Sequence, residues 1–300
     1  MKGEDRNSVR AALRALPWLA PVLTLIFLIV LFPAGYMIWT STRDLSQYGV
    51  DRGPAGLDNY RALLSFDAMP RVLTNTAIWV IGVVGLTLLI SMGIAQFLSK
   101  EFPGRTLVRI SLIIPWAASV VMTSVIFVYG LDPFYGVMNR MLVDVGILDA
   151  PFGFTRNPVP AFIASMVIAI FVSLPFTTYA ILSGLQTIPG DVIEAALVDG
   201  ATPWQVYRQV VLPLLRPAIA VATIINVINV FNSLPILQVM TGSLPGYDAD
   251  TTTTLIFKFI RAELAVDTAS ALSVLNFVFI LLIIGLYLVI LKPLRQVEES

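Results

Sequence analysis

Six long apolar stretches dominate the chain: about Pro17–Thr40, Asn75–Leu98, Val108–Gly130, Val159–Leu182, Pro217–Met240 and Ala269–Leu291. Arg109 is the single charged residue within them. A helix crosses the hydrocarbon core of a bilayer with roughly 20 apolar residues. Backbone in lipid must satisfy its own hydrogen bonds, so such runs are helices rather than open strands. The chain therefore reads as an all-α polytopic membrane protein with six transmembrane helices. Charged residues make up 13% of it, against about 25% in a typical soluble domain.

The first stretch follows Lys2, Arg6, Arg10 and Arg14. It is too long for the apolar part of a signal peptide and is read as a retained span. Residues 4–16 form either a short amphipathic interfacial helix or an irregular basic leader. Lys and Arg bias sets orientation. With the N-terminus in the cytoplasm, the inner segments hold 11 of the 19 Lys and Arg residues and the outer loops hold 8. This places both termini in the cytoplasm. The organisation is a 1–16 N-terminal segment, a six-helix domain over 17–291 and a 292–300 tail. Among the outer loops, 41–74 is the longest and carries a helical stretch over Gly56–Phe66.

A polar segment over about 185–213 interrupts this pattern. Within it, GDVIEAALVDGATPWQVYRQVVLP predicts two short helices. Asp191 is a candidate cap, with Glu194 completing a capping box, and Gly200 suits a left-handed stop. Thr202, Pro203 and Gln205 repeat the start signal. Val192, Ile193, Ala196 and Leu197 are expected to face membrane or protein, with Glu194 and Asp199 toward water or a partner. Local chemistry leaves two readings open, a plain connector or a docking element.

The fifth stretch contains INVINVFNSLP, with Asn226, Asn229 and Asn232 at spacing three. Spacing three predicts one helical face with slow drift, and Pro235 predicts a break or kink. The amides serve either as interhelical packing or as the lining for a neutral polar solute. In the fourth stretch Ser173, Phe176 and Thr177 share a face beside Pro175. They serve as a packed kink or as part of the same lining. Arg109 lies at the very start of the third span, and the lack of acidic or basic groups in the span interiors argues against a proton-coupled carrier and an intramembrane protease. No Cys or His is present, which removes thiol chemistry and the usual zinc and haem ligands. No catalytic residue and no metal site are expected.

The run EAALVDGA at Glu194–Ala201, followed by LP at Leu212-Pro213, resembles the loop of permease subunits of binding-protein-dependent ABC importers. GLDNYRALL, PGRTLVRISLIIPW, YGVMN, LPFTTYAILSGLQTIP and LPLLRP are similar to the carbohydrate-type members, on the side of the maltose and glycerol-phosphate permeases. MTGSLPG resembles their MTGGGPG loop and departs from it at Ser243 and Leu244.

The resemblance implies a type I ABC importer permease fold in the cytoplasmic (inner) membrane. It implies that Glu194, Ala195, Ala196, Asp199, Gly200 and Ala201 form a coupling helix seated on a separate ATPase. Asn229 and Asn232, then Asn226, fall at sugar-contacting positions, with Ser173 and Phe176 on a sugar lining and Thr177 beside them. Phe176 lacks the hydroxyl of the Tyr expected there.

Asp58, Asn59, Tyr60, Gly242, Pro245 and Gly246 are the implied docking positions for an extracytoplasmic solute-binding protein. A second homologous permease and two ATPase copies complete the assembly, in contact with lipid and without nucleic acid. This chain needs no cofactor. None of its four lysines follows a glycine, so the phosphate-binding loop is absent and ATP and Mg belong to the partner ATPase. The substrate expected is a neutral sugar, with trehalose or maltose as first choice and glycerol phosphate as an alternative. A static scaffold and an ion-coupled secondary transporter are the rival classes.

Overall fold

The computed structural model describes residues 17–242 and 244–295. The expectation for residues 4–16, Ser243 and the end of the tail lie outside the described residues. Four helices are long and apolar enough to span a membrane, and two sharply bent helix pairs raise the number to six. The chain divides into two compact units.

One unit comprises the chain up to Phe66 together with Ile256–Phe277. Helix α1 is the Pro17–Thr40 span. It contains a wide π turn over Phe27–Leu31, immediately before Pro33, which has no N–H to donate. Its side chains are almost entirely unburied, and an apolar surface of this kind is suited to lipid. Beyond α1, Arg43–Leu45 (β1) and Asp51–Pro54 (β2) form an antiparallel ribbon. This ribbon is the departure from the all-helical expectation among the described residues. Arg43 clamps it by donating to both carboxylate oxygens of Asp51 and lies over the Trp39 ring at 5.2 Å. Helix α2 follows at Asp58–Leu64, inside the stretch predicted to be helical.

The other unit comprises Asp67–Leu255 and Val278 onward. Its centre is the pair α3, Met69–Ser99, and α7, Pro158–Gln186. Trp79, Val83, Ala164, Ile168, Val230, Phe231, Leu237 and Met240 form the main packed cluster. Between membrane helices, packing and small residues drive association more than water exclusion does. Accordingly, a Cβ built on Gly184 of α7 would come within 2.5 Å of the Ala218 Cβ.

The third expected span is not one straight helix. Helix α4, Arg105–Ala117, and α5, Val120–Gly130, meet at 95°. Pro115 removes a hydrogen bond near the end of α4, and Ala118 and Ser119 are extended. A further helix, α6 at Val137–Asp144, lies in the following loop.

The fifth expected span is broken as well, and shifted. After α8, Gly190–Val198, helix α9 runs Pro203–Leu214 and α10 runs Arg216–Phe231, at 64° to each other. Asn232 and Ser233 end α10, and α11 begins at Leu234 with Pro235 in its first turn. The proline thus starts the next helix rather than kinking a continuous one. Helices α12, Thr252–Arg261, and α13, Val266–Arg295, complete the chain.

Candidate functional site

The polar elbow is built from two termination signals set back to back. Helix α8 starts after Pro189 without a side-chain cap, so Asp191 sits in the first turn and is not the cap expected from sequence. A carboxylate there still favours the positive end of the helix. The other end is closed by two backbone bonds. The Gly200 N–H donates to Leu197 O at 3.1 Å, and the Ala201 N–H to Ala196 O at 3.0 Å. This pairing needs a left-handed residue at position 200, where φ is +85°. Thr202 and Gln205 then form the reciprocal capping box expected for α9.

The faces of the elbow differ partly from expectation. Ile193, Ala196 and Ala201 pack under it against buried Val206, Val211 and Leu215. Val192 and Leu197 stay exposed, on the same open surface as Glu194, Ala195 and Asp199. Val198 is 87% exposed and Trp204 67%. Among the described residues Glu194 forms no ion pair or hydrogen bond. The elbow therefore presents a charged and apolar outer face on a firmly packed underside.

The three asparagines do not share one environment. Asn226 is buried, donating to the Thr177 hydroxyl and to Ala222 O, both at 2.8 Å. Thr177 in turn donates to Ser173 O at 2.8 Å. Asn229 and Asn232 are exposed. Asn232 donates to Ile228 O at 2.8 Å, while the Asn229 side chain has no hydrogen bond among the described residues. A step of three residues falls about 60° short of a full turn, so two steps rotate the face by about 120°. That drift is enough to carry the series from the helix interface to the open side. Phe176 and Ser173 are half-buried on α7.

The break after α10 is satisfied by residues that sequence reasoning did not select. The buried Trp79 indole donates to Val230 O at 2.8 Å, and the Thr253 hydroxyl to Phe231 O at 2.8 Å. Neither carbonyl keeps the bond it would make in a continuous α-helix, and Val230 O also accepts the Ser233 N–H at 3.2 Å. A tryptophan inside an apolar run gives no sequence signal for this role.

Of the expected outer docking positions, Asn59 and Tyr60 are turned to internal use. Asn59 donates to Ser41 O and Arg43 O, at 3.0 and 2.8 Å, and the Tyr60 hydroxyl meets the Ser41 hydroxyl at 2.8 Å. Asp58 remains exposed and pairs with Arg61. In the other unit, Gly242 lies so close to Gln238 that a side chain would collide with its carbonyl oxygen. Pro245 is exposed, and Gly246 takes a left-handed conformation with φ +74°.

Bent apolar spans, a packed polar elbow and amides at a broken helix define a membrane transport component. The chain belongs to the family of binding-protein-dependent transport system inner membrane components, which matches residues 85–294. It is 32% identical over 275 residues to the sulfoquinovosyl glycerol transport system permease protein SmoG of Agrobacterium fabrum, covering 91% of this chain and 89% of that protein. It is 29% identical over 268 residues to the trehalose/maltose transport system permease protein MalF of Thermococcus litoralis, covering 89% and 90%. Its fold matches a chain of a bacterial ABC transporter involved in import of the acidic polysaccharide alginate, with a TM-score of 0.80 at 22% identity, over 97% of this chain and 99% of the other. The fold is thus that of an ABC importer permease, as the elbow motif implied.

Proposed function

We propose that this chain is one half of the pore of an ATP-driven importer for a neutral sugar, with a disaccharide such as trehalose or maltose as the favoured cargo. The carrying observation is Asn229, an exposed amide without a hydrogen-bond partner among the described residues, on a mostly apolar helix. An unpaired amide facing hydrocarbon is costly, so Asn229 with Asn232 faces another chain or a wet pathway. Amides both donate and accept, which suits sugar hydroxyls, and half-buried Phe176 offers a flat apolar face.

In this reading the partners are a second homologous permease, two ATPase copies and an extracytoplasmic solute-binding protein. The assembly lies in the cytoplasmic membrane with both termini inside. ATP and Mg are held by the ATPase subunits, and this chain performs no hydrolysis. Glu194–Ala201 is the coupling helix, with Glu194 pairing a basic group on the ATPase. Closure of the ATPase pair shifts the elbow and turns the pathway outward. Sugar passes from the docked binding protein to Asn229 and Asn232, and hydrolysis restores the inward state.

Two variants test this reading. Asn229→Leu combined with Asn232→Leu is expected to abolish sugar uptake while assembly stays normal, and unchanged uptake would assign both residues to packing. Glu194→Lys is expected to remove sugar-stimulated ATP hydrolysis with membrane insertion intact. Stimulation at the wild-type level would remove Glu194 from the docking surface.

A further inference from the structure

The loop joining α5 to α7 is built as a rigid mount. Asn139 is buried, donating to Leu131 O at 2.8 Å and Phe152 O at 2.6 Å and accepting from the Phe152 N–H at 3.1 Å. Asp132 accepts from the N–H groups of Phe134 and Tyr135, at 2.8 and 2.9 Å. Those bonds hold its carboxyl below the ordinary range, so it stays ionised at neutral pH. Gly136 is wedged against the carbonyls of Gly130 and Asp132, where no side chain fits.

On this mount lies an open cavity of about 590 Å³, lined in part by Phe134, Tyr135, Arg140, Met141, Asp144 and Pro151. The volume is within the usual range for small-molecule sites. Tyr135 is 92% exposed and Phe134 73%. Arg140 and Asp144 stand one turn apart on α6, on the same helix face. Among the described residues neither side chain makes a hydrogen bond or an ion pair, with the other or with any third group.

We propose that this cavity is an external saccharide subsite, separate from Asn229 and Asn232. A sugar ring presents an apolar C–H face and an edge of hydroxyls that both donate and accept. Tyr135 supplies the aromatic face, Arg140 donates to ring or hydroxyl oxygens, and Asp144 accepts from hydroxyl groups. The inference rests on the sugar-import reading and adds a contact made on the mount itself. A protein-docking patch is the competing use of the same residues. The concave shape and the unpaired donor beside an unpaired acceptor favour the polyol.

The test uses the assembled importer in nanodiscs without its binding protein, probed by saturation-transfer NMR with maltose and with trehalose. Transfer to at least one sugar is expected from the wild type. It is expected to fall about tenfold when Tyr135→Ala or Arg140→Gln/Asp144→Asn is added to Asn229→Leu/Asn232→Leu, where the pathway amides no longer contribute. It is expected to persist in Asn229→Leu/Asn232→Leu, which separates the subsite from the pathway. No transfer from the wild type, or equal transfer from the loop variants, overturns the subsite. Uptake that still depends on Asn229 and Asn232 would then leave the import reading standing. Loop variants that keep sugar transfer but no longer capture the binding protein also overturn it, and make the loop a protein-docking surface. Unchanged limited proteolysis of the loop variants shows that the mount is intact.

Discussion

The side-chain amide of Asn226 donates to the hydroxyl of Thr177 across 2.8 Å, joining α10 to α7. Both residues are almost fully buried, and each has a second bond on its own helix, to Ala222 O and Ser173 O. Neither partner is therefore stranded when the other is removed. Asn226→Leu, Thr177→Val and the double variant should give a coupling energy of about 0.6 kcal/mol and no more than about 1.7 kcal/mol. Reversible unfolding in bicelles measures it.

Trp79 has the less forgiving position. Its indole N–H supplies a buried carbonyl at the end of α10. Trp79→Phe keeps most of the ring volume and deletes the donor. Val230 O keeps the Ser233 N–H at 3.2 Å, so the expected loss is about 0.5–1.5 kcal/mol, the net worth of one hydrogen bond. A lower thermal midpoint with unchanged helical content would match this, and an unchanged midpoint would not.

Gly200 closes α8 with φ +85°. Gly200→Val places a branched side chain in the left-handed region, at a cost of about 1–2 kcal/mol. The open space around it means that strain, not collision, is the cause. Sugar-stimulated ATP hydrolysis should fall while the chain still inserts, and Gly200→Asn should recover part of it because Asn tolerates that conformation.

Asp51 links pH to the ribbon. The Arg43 hydrogen bond, then the Gly53 N–H, hold its carboxyl below the ordinary value of 3.8. A depressed folded value means that ionised Asp51 stabilises the ribbon fully above 3.8, and that this is lost as pH falls through the lowered value. Arg43→Gln should move the Asp51 midpoint, read by NMR of the carboxyl carbon, back up toward 3.8. The pair is solvent-accessible, so high salt should move it the same way.

Helix existence was legible wherever apolar length alone decides it. The elbow was legible too, because Gly200, Thr202, Pro203 and Gln205 act on the backbone within a few residues of themselves. Asp191 misled because Pro189 takes the cap position, so the helix begins two residues earlier than a cap at Asp191 would set it. The bends at Ala118–Ser119 and Asn232–Ser233 were less legible, since a broken helix is satisfied by distant donors such as Trp79 and Thr253. The roles of Asn59 and Tyr60 also depend on carbonyls and hydroxyls about 18 residues away. No local pattern encodes such pairings. The asparagine series was found, but its burial followed from the rotation between successive members and from which side α7 occupies.

Leu215 alone separates α9 from α10, and it is 1% exposed. In the proposed importer the elbow and the span after it are the short and long arms of one lever, with a packed leucine as the pivot. Sixteen residues of α10 reach about 24 Å. A tilt of about 10° at the pivot would sweep the far end through about 4 Å, close to the width of a hydroxyl-bearing carbon and its neighbour. On that proposal, a push at the elbow would reach Asn229 and Asn232 enlarged, without any side chain having to relay it.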